Sequence, residues 1–99
     1  KGEDVISIDL RPLGTAITDH FVICTGTSTT MVSAIADNII KEAKEKLGIK
    51  PVRMQGMENA FWVIIDFGDA VVHIFLKEYR EFYRLEDLWA DAPRKTYTD

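Results

Sequence analysis

Residues 63–75 read VIIDFGDAVVHIF. Two apolar runs, Phe61 to Ile65 and Val71 to Phe75, flank the polar tetrad Asp66-Phe67-Gly68-Asp69. Four residues leave no room for a crossover, so the tetrad predicts a hairpin turn between two strands. Asp favours the first turn position, and Gly supplies positive φ where the chain reverses. Both strands are apolar at nearly every position, which calls for cover on both faces. This places them centrally in a sheet flanked by helices.

In protein kinases the letters Asp-Phe-Gly hold a magnesium ion against ATP. Such a kinase also needs a glycine-rich loop, a strand lysine and an HRD loop. None of these is in the sequence, and 99 residues are too few for that fold. Here the letters spell a turn.

Working outward, Val5 to Leu10 (VISIDL) alternates apolar and polar residues and predicts a strand. Pro12 and Gly14 break it. His20 to Cys24 predicts a second strand, apolar on both faces. Val32, Ile35, Ala36, Ile39, Ile40, Ala43 and Leu47 then form one stripe at helical spacing. Thr27 or Ser28 is the expected N-cap and Gly48 the expected stop. Pro51 to Met54 predicts a short strand. After Glu78, aromatic and charged residues alternate to give one or two short helices ended by Pro93, and residues 94–99 are expected to be a flexible tail. The predicted fold is a single α/β domain over residues 1–99, with a mixed five-stranded sheet flanked by helices.

Composition narrows the function classes. The chain has 46% hydrophobic and 28% charged residues, ordinary for a soluble globular domain. Its formal net charge of −4 disfavours non-specific binding to free nucleic acid and suits a basic protein partner. No run approaches the length of a membrane span, and no signal peptide is recognisable. The one cysteine, Cys24, sits in an apolar run and is expected to be a buried thiol in a reducing cytoplasm.

Candidate chemistry is sparse. Gly26-Thr27-Ser28-Thr29-Thr30 follows a strand and opens a helix, where backbone N–H groups favour an anion. It lacks both common phosphate-loop spacings, and capping explains its hydroxyls. The strand–Gly–helix start resembles nucleotidyltransferases, but the next strand, Pro51-Val52-Arg53-Met54-Gln55, has no catalytic carboxylate. Asp66 and Asp69 across the turn are at most a weak cation site. His20 and Cys24, four apart in a strand, stand roughly 13 Å apart and cannot share a zinc ion. A Ser28–His73–Asp66 triad lacks the nucleophile elbow. His73 is first a buried, hydrogen-bonded imidazole and second a partner-facing one. No catalytic residue, metal or cofactor is therefore expected.

The aromatic residues Trp62, Phe67, Tyr79, Phe82, Tyr83 and Trp89 crowd the last two-fifths of the chain among Asp66, Asp69, Glu78, Arg80 and Glu81. A small domain has difficulty burying all of them, and exposed Trp, Tyr and Arg anchor protein interfaces. Composition alone thus leans toward a binding module.

The ordered blocks Asp19-His20-Phe21-Val22-Ile23 with Gly26-Thr27-Ser28, Trp62 through Phe75, and Glu78, Arg80, Phe82-Tyr83, Leu85-Glu86, Leu88-Trp89 resemble the ribosomal silencing factors, the Iojap family. The resemblance runs from Lys1 to Pro93. His20 and Phe67 stand where tyrosines are usual, and Ala70 stands for a valine. The helix that in the family precedes the Glu3-Asp4 segment is not expected in this chain. The resemblance implies a nucleotidyltransferase-like fold without catalytic carboxylates. It further implies binding to the large ribosomal subunit through ribosomal protein L-fourteen. That contact would block small-subunit joining when nutrients are scarce, or act in large-subunit assembly in the organellar relatives. A minimal nucleotidyltransferase is the alternative from another class. The expected location is the cytoplasm, and a homodimer off the ribosome is compatible. The expected interface is the hairpin with its flanking strands and the start of the C-terminal helix. Trp62, Phe67 and Tyr79 would be anchors there, Asp66, Asp69, Glu78 and Glu81 the acidic contacts, and His73 the partner-facing imidazole.

Overall fold

The structure is a computed structural model that describes residues 3–13 and 18–97. Six strands form one sheet: β1 (Glu3–Asp9), β2 (His20–Gly26), β3 (Arg53–Gln55), β4 (Trp62–Asp66), β5 (Ala70–Leu76) and β6 (Arg94–Tyr97). Their spatial order is β3-β4-β5-β2-β1-β6. Only β2 and β5 run parallel, and every other neighbouring pair is antiparallel. Both strands predicted to be central, β4 and β5, lie inside the sheet with a neighbour on each side, and the equally apolar β2 joins β5 at its middle.

The helix α1 (Thr29–Glu42) continues through a π-helical turn, Ala43–Leu47. Ser28 is the N-cap, its Oγ accepting from the Met31 N–H at 3.1 Å, and Gly48 closes the C-terminal end at φ 67°. The helix presses Val32, Ile35 and Ala36 against Cys24, Val63, Ile65, Val72 and Ile74 on one sheet face. Gly26 permits that approach. A Cβ built there would lie 2.8 Å from Val32 Cγ2 and 3.0 Å from Val32 N, inside contact distance.

The opposite face is covered by α2 (Lys77–Tyr83) and the 3-10 turn Leu85–Trp89. Beneath them lie Ile6, Ile8, Leu10, Ile23 and Phe75, with Trp62, Tyr79, Leu85 and Trp89 packed alongside. The double cover demanded by the apolar strands is thus supplied by two different parts of the chain. Burying a large aliphatic or aromatic side chain contributes about 1.5–3 kcal/mol. Most of the fold's stabilisation comes from these two layers.

The hairpin reads as its letters predicted. Asp66 Oδ1 accepts from the Gly68 N–H at 2.8 Å, Gly68 adopts φ 97°, and the Phe67 N–H bonds Ala70 O at 2.8 Å. The start of β2 clamps the turn, since Asp19 and His20 both donate to Asp69 O and Thr18 Oγ1 donates to Gly68 O.

Two expectations are corrected. The sheet has six strands rather than five, and Arg94–Tyr97 is the sixth rather than part of a flexible tail. It pairs antiparallel with β1, Val5 opposite Tyr97 and Ile8 opposite Arg94. All four of its residues are exposed, so no hydrophobic alternation betrays it. Its order comes from the backbone edge of β1, from Asp9 N–H to Pro93 O at 2.8 Å and from Ser7 Oγ to Tyr97 Oη at 3.2 Å. The expected break at Gly14 and the last two residues of the expected tail lie outside the described residues.

Candidate functional site

The eight residues expected at the interface do not form one patch. Asp66, Phe67 and Asp69 sit in the hairpin, where β5 begins; Glu78, Tyr79 and Glu81 sit in α2, which starts where β5 ends. A seven-residue strand separates the two groups by about 20 Å. They also differ in face. Phe67 packs on the α1 side, with Leu47 and Ile49 across a groove of ≈ 610 Å³, whereas Trp62 and Tyr79 belong to the α2 side. Proximity in sequence to both strand ends had made the two groups look continuous.

Around α2 the aromatics assemble. Phe61 stacks on Tyr79 with ring centroids 5.0 Å apart, Trp62 meets Tyr83 at 4.9 Å, and Phe82 meets Tyr83 edge-on at 5.1 Å. Phe82 is 79% exposed, Tyr83 47% and Phe61 38%, while Trp62 and Tyr79 are half-buried below them. Glu78 and Glu81 are exposed on the same short helix. Tyr79, Phe82 and Tyr83 follow i, i+3, i+4 spacing, so one side of the helix carries all three. The sequence reading counted Phe82 and Tyr83 among the aromatics but did not place them at the interface, and it gave Phe61 no role. The helical spacing could have singled out the first two.

His73 lies under this surface. It is only 6% exposed, and its Nδ1 accepts a hydrogen bond from Trp62 Nε1 at 3.1 Å. Phe21 meets its ring edge-on at 4.8 Å, and burial holds its pKa down to about 4 from 6.5. The proton of the neutral ring therefore belongs on Nε2, which is buried without a partner among the described residues. His73 fixes the Trp62 indole from beneath.

The groups weighed for catalysis are occupied elsewhere. Ser28 caps α1, Asp66 closes the turn, and His73 holds Trp62, so no triad is assembled. β3 carries Arg53, Met54 and Gln55, with no carboxylate where a nucleotidyltransferase would hold its metals. Among the described residues no group of three His, Cys, Asp or Glu side chains is gathered for a metal ion. Burial raises the Cys24 thiol to about 11, which keeps it protonated and unreactive near neutral pH. Among the described residues no helix is long and apolar enough to cross a membrane.

The fold is an open, mixed α/β sheet that carries an aromatic, acid-edged helix on one face. The chain belongs to the ribosomal silencing factor family: residues 1–99 match the family described as "Ribosomal silencing factor during starvation". It is 47% identical over 90 residues to the ribosomal silencing factor RsfS of Haemophilus influenzae, covering 91% of this chain and 86% of that one. It is 42% identical over 74 residues to the mouse protein named "Mitochondrial assembly of ribosomal large subunit protein 1", covering 73% of this chain and 32% of that one. A crystal structure of a Chromobacterium violaceum protein superimposes with a TM-score of 0.85 at 33% identity, covering 100% of this chain and 81% of that chain. The name silencing factor denotes a regulatory rather than a catalytic role for the relatives that carry it.

Proposed function

We propose that this protein is a translational repressor that binds the large ribosomal subunit through ribosomal protein L-fourteen. While bound it prevents the small subunit from joining, notably under nutrient limitation. Family membership supports the ribosomal setting. The observation that carries the surface is the aromatic cluster on α2, with Phe82 almost fully solvated and Glu78 and Glu81 beside it. Aromatic anchors with an acidic rim suit a basic ribosomal protein, because complementary charge speeds encounter and fixes register. The formal net charge of −4 agrees.

The mechanism is steric exclusion in a cytoplasm. A bound domain makes subunit joining cost its own binding free energy, more than ~8 kcal/mol for a submicromolar complex. Trp62 and Tyr79 stiffen the platform from below, and His73 acts through Trp62. The hairpin residues Asp66, Phe67 and Asp69 are assigned to a second, separate contact at the far end of the sheet. Sedimentation of the protein with purified large and small subunits tests the reading. Co-migration with the large subunit and a fall in joined ribosomes is the expected result; joined ribosomes at the control level despite binding would leave only the assembly role. That second reading, a large-subunit assembly factor, is favoured by the name of the mouse relative.

A further inference from the structure

The helix α2 has a second side. Lys77 and Arg80 fall at i and i+3 on it, turned away from Tyr79, Phe82 and Tyr83, and with Arg84 just past the helix end they line a cleft of ≈ 430 Å³. Thr25 at the end of β2 and Thr96 on β6 supply hydroxyls to the same cleft. Its volume lies in the range of small-molecule sites, about 300–1,000 Å³.

The charges differ in how firmly they are held. The Arg80 side chain is 11% exposed and held in place: its Nη1 donates to Thr25 Oγ1 at 2.7 Å and its Nε to Glu86 Oε2 at 3.3 Å. Arg80 and Glu86 therefore offset one another as a rigid wall. Lys77 has no acidic group within ion-pair distance among the described residues, and Arg84 pairs only with exposed Asp87 at 2.8 Å. Glu81 lines the same cleft. Glu86 also leaves Oε1 buried with no hydrogen-bond partner among the described residues. A buried acceptor without a donor is costly, and it leaves the cleft wall with one unmet demand for a hydroxyl or amine donor.

We propose that this cleft binds a small phosphorylated ligand of sugar-phosphate or nucleotide size. Its phosphate lies on Lys77 and Arg84, and its hydroxyl-bearing part faces Thr25, Thr96 and Glu86. Charge-assisted bonds to phosphate are the strong ones, and a free lysine beside an arginine provides them. The overall acidic chain repels a long polyanion, which favours a compact ligand over an RNA strand. This goes beyond the ribosomal reading and stands or falls separately from it.

Calorimetric titration of the whole chain tests it with ribose 5-phosphate, the mono-, di- and triphosphates of adenosine and guanosine, the bare nucleosides, inorganic phosphate and a short single-stranded RNA. Saturable binding of at least one phosphorylated sugar or nucleotide is expected, and none of the bare nucleosides. The double variant Lys77→Ala/Arg84→Ala should lose affinity at least tenfold with unchanged circular dichroism. Amide shifts at Thr25, Lys77 and Thr96 should follow the ligand in the parent. Absence of binding by every phosphorylated compound overturns the proposal, as does equal affinity in the double variant, or binding confined to inorganic phosphate or RNA.

Discussion

Trp62 and His73 are tied across the β4–β5 pair by a hydrogen bond from indole Nε1 to imidazole Nδ1, 3.1 Å long. The register sets Trp62 opposite Phe75 and Ile64 opposite His73, so the bond runs diagonally over the sheet face. It exists only while the imidazole is neutral, because a protonated Nδ1 has no lone pair to offer.

Stability should therefore depend on pH in a defined window. The imidazole titrates near 6.5 when unfolded and near 4 when folded, held down by burial. Between those values the unfolded chain binds a proton that the folded chain does not, so stability falls as pH drops from 6.5 to 4 and then levels for this group. The loss amounts to roughly 3 kcal/mol at most. Urea melts across that range should show the slope, and His73→Gln should flatten it. A variant with the parent's slope would assign the effect to another group. Asp9, held at about 2 by its hydrogen bonds from Arg11, acts only at lower pH.

Phe82→Ala should separate surface from fold. The ring is 79% exposed, so stability should change by no more than about 0.5 kcal/mol. Large-subunit affinity should fall about tenfold or more if the ring is an anchor. Parent-like affinity in a co-sedimentation titration would move the contact off α2.

Glu78→Ala and Asp69→Ala should behave differently, since α2 and the hairpin lie at opposite ends of β5. Loss of the rim charge at Glu78 should slow association and weaken its salt dependence. Asp69→Ala should change the association rate less. Rates measured at two ionic strengths decide the matter, and a larger effect from Asp69 would make the hairpin end the principal contact.

Gly26→Ala is expected to destabilise the domain by about 1–3 kcal/mol, because the new methyl group meets Val32 in both side chain and backbone. At this chain size each kcal/mol lowers Tm by about 4–8 °C. An unchanged Tm would mean that α1 slides on the sheet without cost.

The elements with strong periodicity were legible. The stripe from Val32 to Leu47 is a helix followed by a π-helical turn, and the Asp66–Asp69 tetrad is a turn for the reasons its residues supply. The doubly apolar runs took the inner positions because nothing else buries both faces. By contrast, β6 is exposed along its whole length, and hydrophobic pattern carries no trace of a strand held by another strand's edge. The site was half legible. Residue types pointed to aromatics left over at the surface, which Phe82 is, but only the length and direction of β5 reveal that the hairpin group and the α2 group are separated in space. The pairing of Lys77 with Arg84 across a cleft depended on where Thr25 and Thr96 arrive, which local sequence does not encode.

The position of β6 also has a bearing on how the molecule is made. Arg94–Tyr97 completes the outer side of β1, so a growing chain holds β1 one-sided until β6, far behind it in sequence, has left the exit tunnel. During that interval the nascent domain exposes a ready template for a neighbouring chain. Arrival of β6, rather than early local folding, is then what takes the outer side of β1 out of reach of another copy of the chain.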